Sequence, residues 1–252
     1  MNLFRPVSRR KKRKLDIFLA SLGLLLVWWL IGLAWIAATI DTRRNGFFMQ
    51  RRIGMNGKTF TLYKIRTMKD APGVTTTVTC ARDPRITPLG YLLRRTKVDE
   101  LPQLWNVLKG DMSFVGPRPD VEGFADSLEG EQRLLLRVRP GITGPATLKY
   151  RDEEELLGNA VDPEDFNRNV IWPDKVRINL HYLREWSLAE DLKFIWRTVA
   201  RHPKGTSWGA SHSNGKAPPT RSQKRPASTS ERGKSSGARI DGRARCAPPP
   251  PN

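Results

Sequence analysis

The longest apolar stretch lies near the start of the chain. From Leu15 to Ile40 it reads LDIFLASLGLLLVWWLIGLAWIAATI, with Asp16 as its one charge and 24 uncharged residues after it. That is long enough to cross a bilayer. It also exceeds the apolar core of a secretory signal, and no small-residue cleavage pattern follows it. A buried core helix is the weaker reading, because the run is apolar on every face. Basic clusters flank both ends: Arg9 to Lys14 before it, and Arg43, Arg44, Arg51 and Arg52 after it. Positive clusters favour the cytoplasmic side. A straight span would force one of them outward, so the charge pattern favours a re-entrant hairpin. The run holds no proline, and Gly23 and Gly32 are its obvious weak points for a bend.

Two shorter patterned segments follow, Phe47 to Ile53 and Thr59 to Ile65, separated by Gly54-Met55-Asn56-Gly57. Asn-Gly between two strand-like runs predicts a β-hairpin. Thr75 to Cys80 reads as a polar loop or weak strand, and Leu89 to Arg95 as a short helix. Leu101, Leu104, Trp105 and Leu108 then recur at helical spacing. Pro102 fits only the first turn of that helix, so the helix should start at or just before Asp99. Asp120 to Arg137 and Asp174 to Trp186 read as helices, with Pro140 to Pro145 as punctuation between them. Residues 145 to 175 could contribute to the choice of sugar, and within them YRDEEELLGNAVDPEDF, Tyr150 to Phe166, is acid-rich and irregular, which suggests a mobile loop over a site. From Ser187 another helix places Leu188, Leu192, Ile195, Trp196 and Val199 on one face, for the core or for a membrane surface. From about Pro203 the chain turns to Ser, Gly, Pro, Lys and Arg, a composition that predicts disorder.

Charge changes this picture mainly by where it sits. The net charge of the 252 residues is +19. Residues 1–14 carry +7 and residues 203–252 carry +8, leaving +4 for everything between. Basic ends on a mildly basic middle suit contact with anionic surfaces better than a groove tracking a nucleic acid. His181, His202 and His212 show no ligand spacing with one another or with Cys80 and Cys246, so a structural zinc site has little support.

Candidate chemistry concentrates in RRTKVDELPQLWNVLKGDMSFVGPRP, Arg94 to Pro119. Asp99 and Glu100 at a helix start would be held ionised by the helix dipole. As adjacent residues they point in different directions, so one carboxylate can attack while the other holds a metal. Acids also favour first turns for purely structural reasons. Arg118 sits between two prolines, a stiff mount for a guanidinium that could fork onto phosphate oxygens. Lys64 and Arg66 share a face of the second predicted strand. Arg94, Arg95 and Lys97 could receive an anionic head group or form a solvated face.

These segments together resemble the bacterial sugar transferases, the monotopic phosphoglycosyl transferases. The matching elements are KRKLDIFLA, FFMQRRIG, FTLYKIRTM, LRRTKVDELPQLWNVLKGDMSFVGPRP, VRPGITGPA and YLREWSLAEDLKFIWRT, covering roughly residues 11 to 200. The resemblance implies transfer of a sugar 1-phosphate from a nucleotide sugar, usually UDP-linked, to undecaprenyl phosphate. It implies Asp99 as the nucleophile that forms a covalent phosphosugar enzyme and expels UMP, and Glu100 as a ligand of Mg²⁺. Arg94 and Arg118 are implied as phosphate contacts, with Lys64 and Arg66 behind them. It further implies an inner-membrane protein with its catalytic domain on the cytoplasmic face, serving the first membrane step of surface polysaccharide or glycoconjugate synthesis. The sequence departs from the family in having Trp28-Trp29 where a helix-breaking Ser-Pro pair is typical, and Lys97-Val98 where Ser-Leu is more usual.

The fold class expected is therefore α+β and mainly helical. A basic segment (1–14) and a membrane helix or hairpin (15–40) precede a compact catalytic domain (41–202) with a small β-hairpin, and a basic tail (203–252) follows. A non-catalytic membrane adaptor in polysaccharide assembly is the alternative from another class. A membrane-anchored nucleic-acid binder rests on the basic ends alone.

Overall fold

The structure, a computed structural model, describes residues 9–70, 79–80 and 83–200. The expected loop or strand over Thr75 to Cys80 falls largely outside these residues, and the expected disordered tail falls wholly outside them.

The first element, α1 (Arg9–Thr42), is one 34-residue helix that takes in the basic cluster as well as the apolar run. By length and composition it could cross a membrane. The bend expected at Gly23 or Gly32 does not break it, in keeping with a run that lacks proline. It is not free of the rest of the protein. Asp16 accepts hydrogen bonds from Ser113 Oγ and the Phe114 N–H, both at 3.0 Å. Arg13 donates to the carbonyls of Val107 and Leu108 at 2.5 and 2.7 Å. Lys12 pairs with the buried Asp191. Small residues keep this face close to the domain. Ala20 packs with Leu62, Val107 and Met112, and Ala34 and Ala38 pack with Ile65 and Leu93. The opposite face exposes Phe18, Leu25, Leu26, Trp28 and Trp29.

The hairpin forms as its turn residues predict. Strands β1 (Phe47–Ile53) and β2 (Thr59–Ile65) pair antiparallel, from Phe47 opposite Ile65 to Ile53 opposite Thr59. Asn56 and Gly57 supply the positive φ values, 60° and 74°, that reverse the chain. Next come α2 (Pro88–Thr96), capped by the Thr87 side chain accepting from the Gly90 N–H at 2.9 Å, and α3 (Gln103–Lys109).

Two three-residue strands that periodicity does not announce, β3 (Ser113–Val115) and β4 (Gly141–Thr143), pair in parallel. A Cβ on Gly141 would stand 2.2 Å from the Gly116 nitrogen, so glycine is required where these chains meet. Between them, Asp120 to Arg137 is not the helix expected. It is irregular chain with two 3₁₀ segments, Ala125–Ser127 and Gly130–Arg137. Gly123 and Gly130 adopt positive φ there, 94° and 53°, which breaks helical continuity.

Residues 145 to 175 are more regular than expected. They hold α4 (Pro145–Lys149), α5 (Glu153–Gly158), α6 (Pro163–Phe166) and a π turn, which leads into α7 (Trp172–Arg184). The last helix, α8 (Leu188–Val199), is capped by Ser187 as expected. Its apolar residues divide between two sides. Phe194 enters the main core with Val115, Leu128, Leu135, Val176, Tyr182 and Leu183, while Leu192, Trp196 and Val199 stay exposed.

Candidate active site

Three pieces of chain converge on one pair of acids. Helix α2 ends at Thr96, and Lys97 turns the backbone through the left-handed region at φ 60°. A single tight helical turn, Val98–Glu100, follows. Leu101 and Pro102 keep helical dihedrals into α3, so helical backbone begins just before Asp99 as the Pro102 argument requires, although the α-helix proper starts at Gln103. As neighbours on a tight turn, the two carboxylates diverge. Asp99 is 6% exposed, and its Oδ1 is buried with no hydrogen-bond partner among the described residues. Glu100 reaches across to the strand and the Pro-Arg-Pro turn. Arg118 donates to its Oε1 at 2.6 Å and to its Oε2 at 3.5 Å, and Lys64 Nζ stands 3.4 Å from Oε1.

The same surroundings drive these two acids apart in acidity. Burial pushes the Asp99 carboxyl up to about 6, and the Glu100 charge pushes the same way, against the cations Lys64, Lys97 and Arg94. Burial would raise Glu100 too, but Arg118, Lys64 and Lys97 outweigh it and hold that carboxyl well below its ordinary value. Glu100 in turn raises Arg118, while burial lowers the Lys64 amine. The helix-dipole reading, in which both acids are simply held ionised, is thus replaced by a division. Glu100 is a fixed anion in a cationic cradle, and Asp99 is a poorly solvated carboxylate that is still mostly ionised at neutral pH.

Of the residues singled out in the sequence, Asp99, Glu100, Lys64 and Arg118 meet here. Arg94 approaches on α2, where its guanidinium bonds to Thr67 Oγ1 at 3.4 Å and pairs with Glu154 of α5. Arg66 goes elsewhere. Strand β2 stops at Ile65, and Arg66 donates to the Asn45 carbonyl at 2.8 Å and lies over the Phe48 ring. Two groups that sequence reasoning passed over also belong to this neighbourhood. Arg52, read there as part of a topology-setting cluster, is charge-coupled to Arg118, Glu100 and Asp120. Asp120 is pushed up to about 6, by burial above all. Its place directly after Pro-Arg-Pro was the signal that could have found it.

The donor set can be tested for a hard cation. Mg²⁺ favours oxygen ligands and usually takes one or two carboxylates, with waters and substrate phosphates completing the shell. Among the described residues, Asp99 Oδ1 has no hydrogen-bond partner and Glu100 Oε2 has only the long 3.5 Å contact with Arg118. Glu100 therefore keeps one oxygen for such an ion, with waters and substrate phosphates left to fill the shell, while the Asp99 oxygen stays free of it.

The chain matches the family model described as bacterial sugar transferase over residues 7–205. It is 33% identical over 211 residues to an exopolysaccharide production protein of Sinorhizobium fredii, covering 77% of this chain and 86% of that protein. It is 39% identical over 200 residues to the UDP-glucose:undecaprenyl-phosphate glucose-1-phosphate transferase of Escherichia coli, covering 77% of this chain and 40% of that longer protein. Over 121 residues it is 43% identical to a putative undecaprenyl-phosphate N-acetylgalactosaminyl 1-phosphate transferase of Bacillus subtilis, 48% of this chain and 68% of that one.

Proposed function

The chain belongs to the bacterial sugar transferase family, and on that premise we propose that it moves a sugar 1-phosphate from a UDP-sugar to undecaprenyl phosphate. The observation that carries this reading is the division between the acids: an unpartnered, buried Asp99 oxygen beside a Glu100 fixed by Arg118 and Lys64. In the first step Asp99 attacks the sugar-linked phosphorus. A carboxylate–phosphorus bond forms, and the bond to the UMP oxygen breaks. In the second step an oxygen of the lipid phosphate attacks the same phosphorus, frees Asp99 and leaves a lipid diphosphate sugar. Splitting the transfer this way means the soluble and lipid substrates need not occupy the site together.

Weak solvation of Asp99 suits it to attack, because little water must be shed on the way to the transition state. Arg118 and Lys64 orient Glu100 and place positive charge beside the phosphates of the donor, and Arg94 can add to it once its guanidinium leaves Glu154. A Mg²⁺ ion held by Glu100 would neutralise charge on the diphosphate and on the departing UMP.

The docking of α1 bears on the membrane arrangement. Arg13 and Asp16 near one end, and Ala34 and Ala38 towards the other, dock on the same domain. This supports a monotopic placement in which the exposed face of α1 enters the bilayer, both flanking basic clusters stay on the cytoplasmic side, and the site sits at the lipid phosphate level. The test is UMP release from a panel of UDP-sugars by detergent-solubilised protein with Mg²⁺ and undecaprenyl phosphate. Lipid-dependent turnover with one donor, lost in Asp99→Asn, is expected. Equal silence of folded wild type and variant on every donor would sink the reading.

A further inference from the structure

Arg118 works only if its backbone is held still, and three contacts fix the turn that carries it. The Gly141 N–H donates to the Pro117 carbonyl at 2.7 Å, and the Ile53 N–H to the Asp120 carbonyl at 3.0 Å. Between them, Arg52 donates through Nη1 to the Pro119 carbonyl at 3.2 Å. The first two are backbone contacts that any sequence could make. The third comes from a side chain at the end of β1, whose other arm is pinned by Gln50 Oε1 at 2.7 Å. Its Nε is buried and has no partner among the described residues.

The charges around Arg52 are mixed. Arg52 is half-buried; burial and the Arg118 charge work against its own charge, while Asp120 and Glu100 favour it. Holding a carbonyl in place needs only a neutral donor. A guanidinium adds what such a donor lacks, a fork that joins the Pro119 carbonyl to Gln50 Oε1.

We propose that Arg52 is a positioning residue for the transfer reaction. It clamps Pro119 so that the Arg118 guanidinium meets Glu100 in register, and it acts through Arg118 rather than on substrate. This rests on the transferase reading above. The chain of contact is continuous: Gln50 Oε1 to Arg52, Arg52 to the Pro119 carbonyl, and the adjacent Arg118 to Glu100 at 2.6 Å. Lysine can reach one of the two acceptors but cannot fork between them.

The experiment is steady-state UMP release by full-length wild type, Arg52→Lys, Gln50→Ala and the double variant Arg52→Lys/Arg118→Lys, with thermal unfolding of each. A displaced catalytic group costs up to about 100-fold, so Arg52→Lys should lower kcat by about 10- to 100-fold with KM within about 2-fold of wild type. Gln50→Ala, which frees one arm only, should show a smaller fall of the same kind. Adding Arg52→Lys to Arg118→Lys should cost far less than it does alone. A rise in KM at constant kcat would make Arg52 a substrate contact and overturn the proposal. Full additivity in the double variant would also overturn it, as would a loss of activity that merely tracks unfolding temperature in both Arg52→Lys and Gln50→Ala. If wild type releases no UMP from any donor, the transferase reading falls and this proposal with it. An active wild type with a fully active Arg52→Lys removes the proposal alone.

Discussion

Replacing Asp99 by Asn should make the protein more stable while removing its activity. Asp99 is 6% exposed, its Oδ1 lacks a partner, and its carboxyl is raised from 3.8 to about 6, chiefly by burial and then by Glu100. A carboxyl that binds its proton more tightly when folded destabilises the fold as it ionises. The penalty is absent below the unfolded value, grows as pH rises towards 6, and is complete above it. At about 1.4 kcal/mol per tenfold change, the gap sets a ceiling of about 3 kcal/mol at pH 7 and roughly half of that at pH 5. Asparagine keeps the shape without the charge, but its amide brings N–H groups that need partners, so part of this gain is lost. For a chain of this size, each kcal/mol moves the unfolding temperature by about 2–4 °C. The assay is thermal unfolding of wild type and Asp99→Asn in detergent with a chelator, at pH 7.5 and pH 5. A rise of about 3–8 °C at pH 7.5 that shrinks by about half at pH 5 is expected. An Asn variant that unfolds no later than wild type at pH 7.5, or whose gain is the same at both pH values, refutes the reasoning.

Arg118→Lys should cut UMP release by about 100-fold, because an ammonium cannot keep both contacts to Glu100; steady-state assays check this, and near-normal turnover would show that the fork is dispensable. Lys64→Met removes a cation that favours the ionised forms of both Asp99 and Glu100, so both carboxyls should rise. The acid limb of the pH–rate profile, set by Asp99 as the higher of the two, should then move to higher pH, and an unmoved limb would show that Asp99 need not ionise for turnover. Phe194→Ala empties a site 2% exposed that meets the Tyr182 ring edge-on at 5.9 Å. The loss should be about 3–5 kcal/mol, read as a large fall in unfolding temperature.

What the sequence disclosed divides along the range of the forces involved. The hairpin was legible because Asn56-Gly57 must turn with positive φ, and α7 because its apolar spacing is local. The acid turn was legible too, since Pro102 confines the helix start to its own neighbourhood. The pairing of β3 with β4 was not, for three-residue strands carry no period and their partnership depends on a close approach at Gly141. Asp120 to Arg137 looked helical by composition, and only the positive φ of Gly123 and Gly130 reveals that it is not. At the site, the four groups that meet arrive from β2, the acid turn and the Pro-Arg-Pro turn. Alternation put Arg66 beside Lys64, but alternation ends with the strand, one residue too early. Arg52 was hidden by its own charge, which reads equally well as a flank to the apolar run.

Helix α1 is also part of the interior. Asp16 satisfies the Phe114 N–H, and Ala20, Ala34 and Ala38 complete two of the hydrophobic clusters around β2, α2 and α3. An enzyme trimmed of this helix to make it water-soluble would therefore lose a wall of its catalytic domain, not a tether. The domain and α1 form a single folding unit, so conditions that eject the helix from its seat should act on the acid turn as well.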